Sequence, residues 1–392
     1  MRTTISRSED FKSIKKIFII LVIVGIIISG GMVSAETSPI GSTAKSAALV
    51  EVTTGRVLYE KNAHQRLPMA STTKIMTCII ALESLDIDEI ITVDPDASGI
   101  EGSSIWLSPN EKISARDLLY GLMLSSGNDA AEALAIHIAG SVEEFAALMN
   151  KKAREIGVGN TNFVNPHGLP DKNHYTTAYD LSLISAYGMQ IPGFVDIVST
   201  QYKNISWEGS DWDRSLKNKN KLLWDYEGAN GIKTGYTDAA GRCVATSAKR
   251  DDMQLACVVL NDSDMFGDSM AILDYGFKNY SIKPIIEKGE YYGNVVVNNG
   301  TSDSVNVYAS DDVTYPMKNG EEEKITTRII LDDSINAPVV KGQTLGKIEC
   351  LIDDEVVATA KLKAEKGVEE NTMEYNIFKI LTDWINNTIY SD

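Results

Sequence analysis

The strand-forming stretches of residues 36–282 stand at the two ends of that region, with the helical ones enclosed between them. Ala47 to Val52 and Arg56 to Tyr59 read as a hairpin turned by Thr54-Gly55. Arg242 to Ser247 and Met253 to Leu260 read as a second pair, turned across Lys249 to Asp252. Between the pairs, apolar residues recur about every 3.6 positions. Leu118, Leu119, Leu122 and Met123 mark one helix; Ala130, Ala131, Leu134, Ala135 and Ile138 a second; Phe145, Leu148 and Met149 a third. Residues 179–190 read as another helix and Met270 to Phe277 as a closing one. A chain in this order buries its strands by laying the distant pairs side by side and packing helices on them. The expected class is α/β, more strictly α+β, with one antiparallel sheet flanked by helices.

The helix after Pro68 differs from the others. Ile75, Met76, Cys78, Ile79, Ile80, Ala81 and Leu82 surround it, so it is expected to run through the core with Ser71 at its start. Beyond Lys283-Pro284 the pattern changes to short strands: Asn294 to Asn298, Val305 to Ala309, Ile325 to Leu331 and Glu355 to Lys361. Turn residues separate them, which predicts a C-terminal all-β sandwich over 283–366. Within 367–392, Ile377, Phe378, Leu381, Trp384, Ile385 and Ile389 follow helix spacing. That stripe fits a helix lying on a membrane surface, or one packed on its own domain. Lys379 is the only base from Asn371 onward, which weakens attraction to anionic lipid.

At the other end, Arg2, Arg7, Lys12, Lys15 and Lys16 precede an apolar run from Ile17 to Ile28 and the small-residue close Val33-Ser34-Ala35. Residues 1–35 read as a secretory signal peptide, or, because the run approaches a membrane span, as an uncleaved anchor. Both readings put the remainder on the extracytoplasmic face of the cell membrane. The whole chain carries −17; residues 1–35 hold those five bases against Glu9 and Asp10, a net +3, so their removal leaves −20. Such acidity argues against nucleic acid as a partner. Cys78, Cys243, Cys257 and Cys350 are too widely spaced for a zinc site, and His64, His137, His167 and His174 form no metal motif. Cys78 is expected as a buried thiol; Cys243 and Cys257, on successive strands, are the pair that could bridge.

Three short motifs carry chemistry. Ser71-Thr72-Thr73-Lys74 places a hydroxyl and an amine on one face of a helix. A serine is a poor nucleophile until a base takes its proton, and a lysine can be that base if burial and nearby cations depress its pKa. The spacing alone is weak, since Ser13 to Lys16 and Ser42 to Lys45 repeat it; only the Ser71 copy opens an apolar helix. Ser126-Gly127-Asn128 is one of four Ser-x-Asn triplets, the others beginning at Ser108, Ser304 and Ser334. Lys233-Thr234-Gly235 is the one Lys-Thr-Gly, and it leads into a strand where Gly235 would leave room for a substrate to approach the backbone.

Ser71, Ser126 and Lys233 follow one another at separations of 55 and 107 residues. In this order and spacing the chain resembles the serine penicillin-recognising family. Within it, the chain is similar to the low-molecular-mass penicillin-binding proteins that act as D-alanyl-D-alanine carboxypeptidases. Pro68-Met69-Ala70, Leu124 to Ala131, Asn165-Pro166-His167-Gly168-Leu169 and Gly231 to Thr237 carry the likeness. The resemblance implies a β-lactamase/DD-peptidase-like catalytic domain over 36–282 with a β-domain behind it. It implies that Ser71 attacks the D-alanyl-D-alanine carbonyl of a peptidoglycan stem peptide and that Lys74 takes its proton. Ser126 would relay a proton to the leaving amine with Lys233, and Asn128 would contact the substrate backbone. Thr234 and Lys233 would hold the terminal carboxylate, and the N–H groups of Ser71 and Tyr236 would form the oxyanion hole. No cofactor is implied, and β-lactams would be covalent inhibitors.

Other residues have plainer expectations. His167 is expected to fix its loop, and Arg242 to form a structural ion pair. Asp268 stands where some carboxypeptidases of this family carry an arginine, which would remove one contact to the substrate carboxylate. A β-lactamase is disfavoured because the loop Phe163 to Leu169 holds no glutamate to drive deacylation. An endopeptidase or transpeptidase would use the same site. A non-catalytic β-lactam receptor or wall-binding protein would not need all three motifs intact.

Overall fold

The computed structural model describes residues 40–389. The export signal expected over 1–35 lies outside the described residues.

Five strands make the main sheet: β1 (Ser46–Glu51), β2 (Val57–Lys61), β3 (Ala229–Thr237), β4 (Gly241–Arg250) and β5 (Met253–Leu260). Their order is β2-β1-β5-β4-β3, with every neighbouring pair antiparallel. The two distant hairpins meet where Leu49 faces Cys257, as the sequence pattern requires, and β3 forms the free edge. Every residue of β1 is buried, because helices cover both faces of the sheet. Successive side chains point to opposite faces. Ala48, Val50, Ala256 and Val258 join the large helical core. Leu49 and Leu255 point the other way, each 2.7 Å from where a Cβ would stand on Gly276.

Helix α1 (Lys74–Ser84) is buried from Lys74 through Ala81, as its all-round apolar sequence predicts. It runs among α2 (Ala115–Tyr120), α3 (Asn128–Ala139) and α4 (Val142–Ile156). Gly140, at φ +81°, ends α3, and Ser141 Oγ accepts from Glu144 N at 3.1 Å to start α4. Phe145 and Met149 of α4 are buried, while Leu148 is left partly exposed. Helix α5 (Ala178–Gly188) packs on β1 and β5, and α6 (Met265–Asn279) covers β4 and β5. α6 begins five residues before the expected Met270, because Asp264 caps it by accepting from Gly267 N at 3.2 Å.

The bridge allowed for between Cys243 and Cys257 does not form; all four thiols are free and buried. Cys257 stands opposite Thr246 in the β4–β5 register, three residues from Cys243, so the two side chains leave opposite faces of the sheet.

Two short ribbons, Ile90–Thr92 with Lys112–Ser114 and Tyr202–Ile205 with Arg214–Lys217, lie outside the main sheet. The strands beyond α6 are β6 (Tyr280–Ile286), β7 (Tyr291–Asn298), β8 (Ser304–Ala309), β9 (Val313–Lys318), β10 (Ile325–Leu331), β11 (Ser334–Asn336), β12 (Thr344–Ile352) and β13 (Glu355–Ala364). Six form one sheet in the order β10-β12-β13-β8-β7-β11, and β6 and β9 form a ribbon against it. Val295, Val297, Val305, Val307, Ile348 and Leu362 fill its core. The ribbon is tied to the catalytic sheet through Arg56 at the β1–β2 turn. Arg56 Nη2 and Nη1 grip the Glu321 carboxylate at 2.6 and 2.8 Å, Nη1 also donates to Pro316 O, and the guanidinium lies 4.9 Å from the Tyr315 ring. Helix α7 (Met373–Ile389) follows, with Ile377, Phe378, Leu381 and Trp384 exposed. No described helix is long and apolar enough to cross a membrane.

Candidate active site

Ser71 lies on one 3₁₀ turn, Ala70–Thr73, and Lys74 opens α1 behind it. The expected helix start is thus a tighter turn, and that helps the chemistry. A 3₁₀ helix has about three residues per turn, so positions i and i+3 eclipse. Lys74 Nζ stands 3.1 Å from Ser71 Oγ. The two threonines of the motif hold the turn closed. Thr72 Oγ1 donates to Met69 O at 2.6 Å and Thr73 Oγ1 to Ala70 O at 2.8 Å. Thr73 Oγ1 also lies 2.7 Å from His174 Nε2.

Lys74 is fully buried and has three acceptors: Ser71 Oγ, Asn128 Oδ1 at 2.7 Å and His167 O at 2.7 Å. Its pKa is pushed well below the usual lysine value. Burial is the largest cause, followed by the positive charges of Lys233 and Lys219, with Asp129 acting against them. The pocket therefore favours a neutral amine beside the hydroxyl.

Asn128 enters from the start of α3. Its side chain does more than face a substrate: Oδ1 holds Lys74, and Nδ2 donates to Glu101 O at 2.5 Å. Its N–H donates to Ser103 O at 2.7 Å. Ser126 sits two residues earlier, buried, in a left-handed conformation at φ +65° after one wide turn, Gly121–Ser125. Wide turns of this kind recur at functional sites.

The third motif lies on β3. Lys233 is fully buried, and its Nζ donates to Thr234 O at 2.9 Å. Burial first, then Lys219, pulls its pKa down to about 7. Thr234 is buried beside it, and Tyr236 is exposed, its hydroxyl donating to Asp238 Oδ1 at 2.9 Å. The room expected at Gly235 is taken by the nucleophile's own turn: a Cβ there would lie 2.9 Å from Ser71 N and 3.1 Å from Thr72 N. The missing side chain lets β3 press against Ser71.

Lys219 was not singled out from the sequence. It is exposed, its Nζ donates to Ser103 Oγ at 3.2 Å, and its charge depresses both other lysines. Buried Asn218 and Asn220 flank it. Asn220 Nδ2 donates to Gly231 O at 2.7 Å, and Asn218 Nδ2 to Val198 O at 3.1 Å. Only the Asn-Lys-Asn pattern marks the position in sequence, and no spacing rule connects it to the other motifs.

The loop after α4 closes the floor. Asn165 Oδ1 accepts from Gly168 N at 2.7 Å. His167 is buried, lies 3.1 Å from Glu132 Oε1 through Nε2, and accepts from Leu169 N at 3.2 Å through Nδ1. Its ring serves the loop, as expected, while its carbonyl reaches Lys74. One other expectation changes. Arg242 is exposed and donates to Ser263 O at 3.1 Å, a carbonyl contact in place of the expected ion pair. Asp268 is turned onto the start of the domain, accepting from Ser42 Oγ at 2.7 Å and Thr43 N at 2.6 Å. Its carboxylate is engaged in holding that segment.

A hydroxyl, a pKa-depressed amine and two further cations in one pocket suit nucleophilic attack on a substrate bearing an anionic end. Known proteins carry the same layout. The family described as D-alanyl-D-alanine carboxypeptidase matches residues 32–264, and Penicillin-binding protein 5, C-terminal domain, matches residues 280–370. D-alanyl-D-alanine carboxypeptidase DacF of Bacillus subtilis is 34% identical over 358 residues, covering 89% of this chain and 92% of that one. D-alanyl-D-alanine carboxypeptidase DacA of Haemophilus influenzae is 32% identical over 378 residues, covering 91% and 94%. The solved structure of penicillin binding protein 5 from Haemophilus influenzae superposes with a TM-score of 0.72 at 31% identity, covering 85% of this chain and 99% of that one.

Proposed function

The chain belongs to the D-alanyl-D-alanine carboxypeptidase family of serine peptidases, which act on the bacterial cell wall outside the cytoplasm, and from that premise we propose a full acyl-enzyme cycle on Ser71. The substrate is a peptidoglycan stem peptide ending in D-Ala-D-Ala. The supporting observation is the 3.1 Å approach of the depressed Lys74 amine to Ser71 Oγ.

Lys74 accepts the Ser71 proton as Oγ attacks the penultimate carbonyl. The N–H groups of Ser71 and Tyr236 stabilise the oxyanion. Lys74 hands that proton through Ser126, backed by Lys233, to the leaving amine, and D-alanine departs with Lys74 neutral again. Lys233 and Thr234 hold the terminal carboxylate before that step, Asn128 positions Lys74 and the peptide backbone, and Gly235 keeps β3 close to Ser71. Water then attacks the ester, Lys74 takes its proton and returns it to Ser71 Oγ as the peptide leaves, and Ser71 is restored. β-Lactams acylate the same serine and leave slowly, because the loop Phe163 to Leu169 holds no glutamate to drive deacylation. The 1–35 segment exports the chain, and the stripe of α7 rests on the membrane surface.

Release of D-alanine from a stem pentapeptide, with and without penicillin, tests this reading. Release that penicillin blocks, and that is lost in Ser71→Ala together with the covalent penicillin adduct, is expected. An adduct persisting in Ser71→Ala, seen by intact mass, rules it out.

A further inference from the structure

The loop that anchors Asn128 ends in an exposed indole. Glu101 O and Ser103 O both accept from Asn128, so residues 101–103 belong to the cleft wall. Three residues past Ser103 stands Trp106, 72% exposed. Its φ is +62°, a left-handed conformation that a bulky residue rarely adopts. Two buried charges hold it there. Asp129 accepts from Ser104 Oγ at 2.6 Å, Ile105 N at 3.1 Å and Leu107 N at 3.0 Å. Arg214 donates to Ile105 O at 2.6 Å and Trp106 O at 3.0 Å while gripping Glu111 at 2.7 and 2.8 Å. Strain over-determined by its surroundings in this way clusters at functional sites.

Arg214 belongs to a hairpin, Tyr202–Ile205 with Arg214–Lys217, whose loop carries two more tryptophans. The Trp207 ring lies 4.6 Å from the Arg214 guanidinium, and Trp212 is 69% exposed. Glu208, Asp211 and Asp213 on the same loop are exposed carboxylates. Exposed aromatic surface beside a cleft marks a binding surface.

The peptide arm of the substrate has another place to bind. β3 is a free sheet edge against Ser71, and an extended peptide pairs along such an edge by its backbone. Indoles beside carboxylates suit a pyranose ring instead: its C–H face stacks on the π-system, and its hydroxyls donate to the carboxylates. The reach is compatible. Trp106 is at most about 11 Å of chain from Ser103, and the four stem residues between scissile bond and sugar span about 13 Å when extended.

We propose that Trp106, with Trp212 and the hairpin carboxylates, forms a platform for the N-acetylated sugar that bears the stem peptide. This rests on the function proposed above and names a second part of the same substrate.

The test compares D-alanine release by the full chain from three substrates: an acylated tripeptide ending in D-Ala-D-Ala, the free stem pentapeptide, and that pentapeptide on its disaccharide. The wild-type kcat/KM for the disaccharide form is expected to exceed that for the free pentapeptide about tenfold, through KM. In Trp106→Ala this ratio falls below about two, and Trp106→Phe retains part of it. Equal wild-type values for those two substrates overturn the platform. So does a Trp106→Ala loss falling equally on all three, which marks a structural role, or one already present between tripeptide and pentapeptide, which assigns the indole to the peptide arm. Release from none of the three by wild type overturns the proposed activity instead. Tryptophan quenching by the disaccharide pentapeptide then decides the platform: saturable in wild type and lost in Trp106→Ala supports it, and no saturable quenching overturns it.

Discussion

Lys74 Nζ stands 3.1 Å from Ser71 Oγ, and the pocket around that pair holds two other lysines. Burial disfavours the Lys74 ammonium first; Lys233 and Lys219 add like-charge repulsion. The same burial and the same Lys219 pull Lys233 down to about 7. The proposed cycle needs Lys74 as a neutral base and Lys233 as a cation, which would divide one scarce set of protons between two amines.

That division predicts the pH profile. Lys74 works when neutral, so acylation rises as pH rises through its pKa. Lys233 works when charged, so acylation falls as pH climbs past its own. Removing the Lys219 charge lets both ammonium forms persist to higher pH. In Lys219→Met both limbs should move alkaline, as apparent values of the coupled pair. The second-order rate of penicillin acylation against pH measures this. Limbs that stay put or move acidic would refute the electrostatic role of Lys219.

The glycines separate catalysis from folding. A Cβ on Gly235 would press on Ser71 N, one of the two proposed oxyanion donors. Gly235→Ala should cut the acylation rate about 10²-fold, the scale of losing one such donor, and lower the melting temperature less than Gly168→Ala does. A Cβ on Gly168 would stand 1.9 Å from Ala70 O at a φ of +92°. Gly168→Ala should therefore destabilise the fold by about 3 kcal/mol, the scale of overpacking. Stopped-flow acylation and thermal melts on both variants give the comparison. A Gly235→Ala enzyme with normal acylation would show that β3 need not touch the turn.

Much of this was legible before the structure. The distant hairpins pointed to one antiparallel sheet because the long strand-forming runs of the domain stand only at its two ends, though two short two-stranded ribbons lie between them, and the all-round apolar α1 had to be central. The motifs converge at Lys74, which bonds Asn128 and is depressed by Lys233. What sequence hid was backbone geometry. Nothing in Ser-Thr-Thr-Lys distinguishes a 3₁₀ turn from a helix, and Gly235 reads as an opening until the turn opposite it is known. Lys219 lies 14 residues before Lys233 without a motif, and two buried asparagines bring it in. The task Asp268 has instead of a substrate contact was hidden because the segment Ser42 to Ala44 that it holds is remote in sequence.

His174 makes stability depend on acid. Burial, the largest cause, lowers its pKa from 6.5 to about 4. It packs under the nucleophile's turn as a neutral ring, 2.7 Å from Thr73 Oγ1 and accepting from Val164 N at 3.1 Å. A depressed histidine contributes its full share above the unfolded pKa and loses it as pH falls through the folded one. The loss should run from about pH 6.5 to 4 and reach on the order of 3 kcal/mol. Denaturant melts across that range should show a shallower slope for His174→Asn than for wild type. Equal slopes would exclude His174 as the source.

The last prediction concerns attachment. Ile377, Phe378, Leu381 and Trp384, the described members of the α7 stripe, are each more than half exposed. Lys379 is its only base, so attraction to anionic headgroups is a small part of any membrane affinity. Burying apolar side chains contributes up to about 1.5–3 kcal/mol each, enough for four of them to hold the chain at an interface. The chain lacking residues 1–35 should co-sediment with lipid vesicles, and raising salt to about 0.5 M should release little of it. Deleting 371–392 as well should leave it in the supernatant, and Trp384→Glu should weaken the association. Vesicle binding that survives the deletion, or that salt abolishes, would show that this stripe is not what holds the enzyme at the membrane.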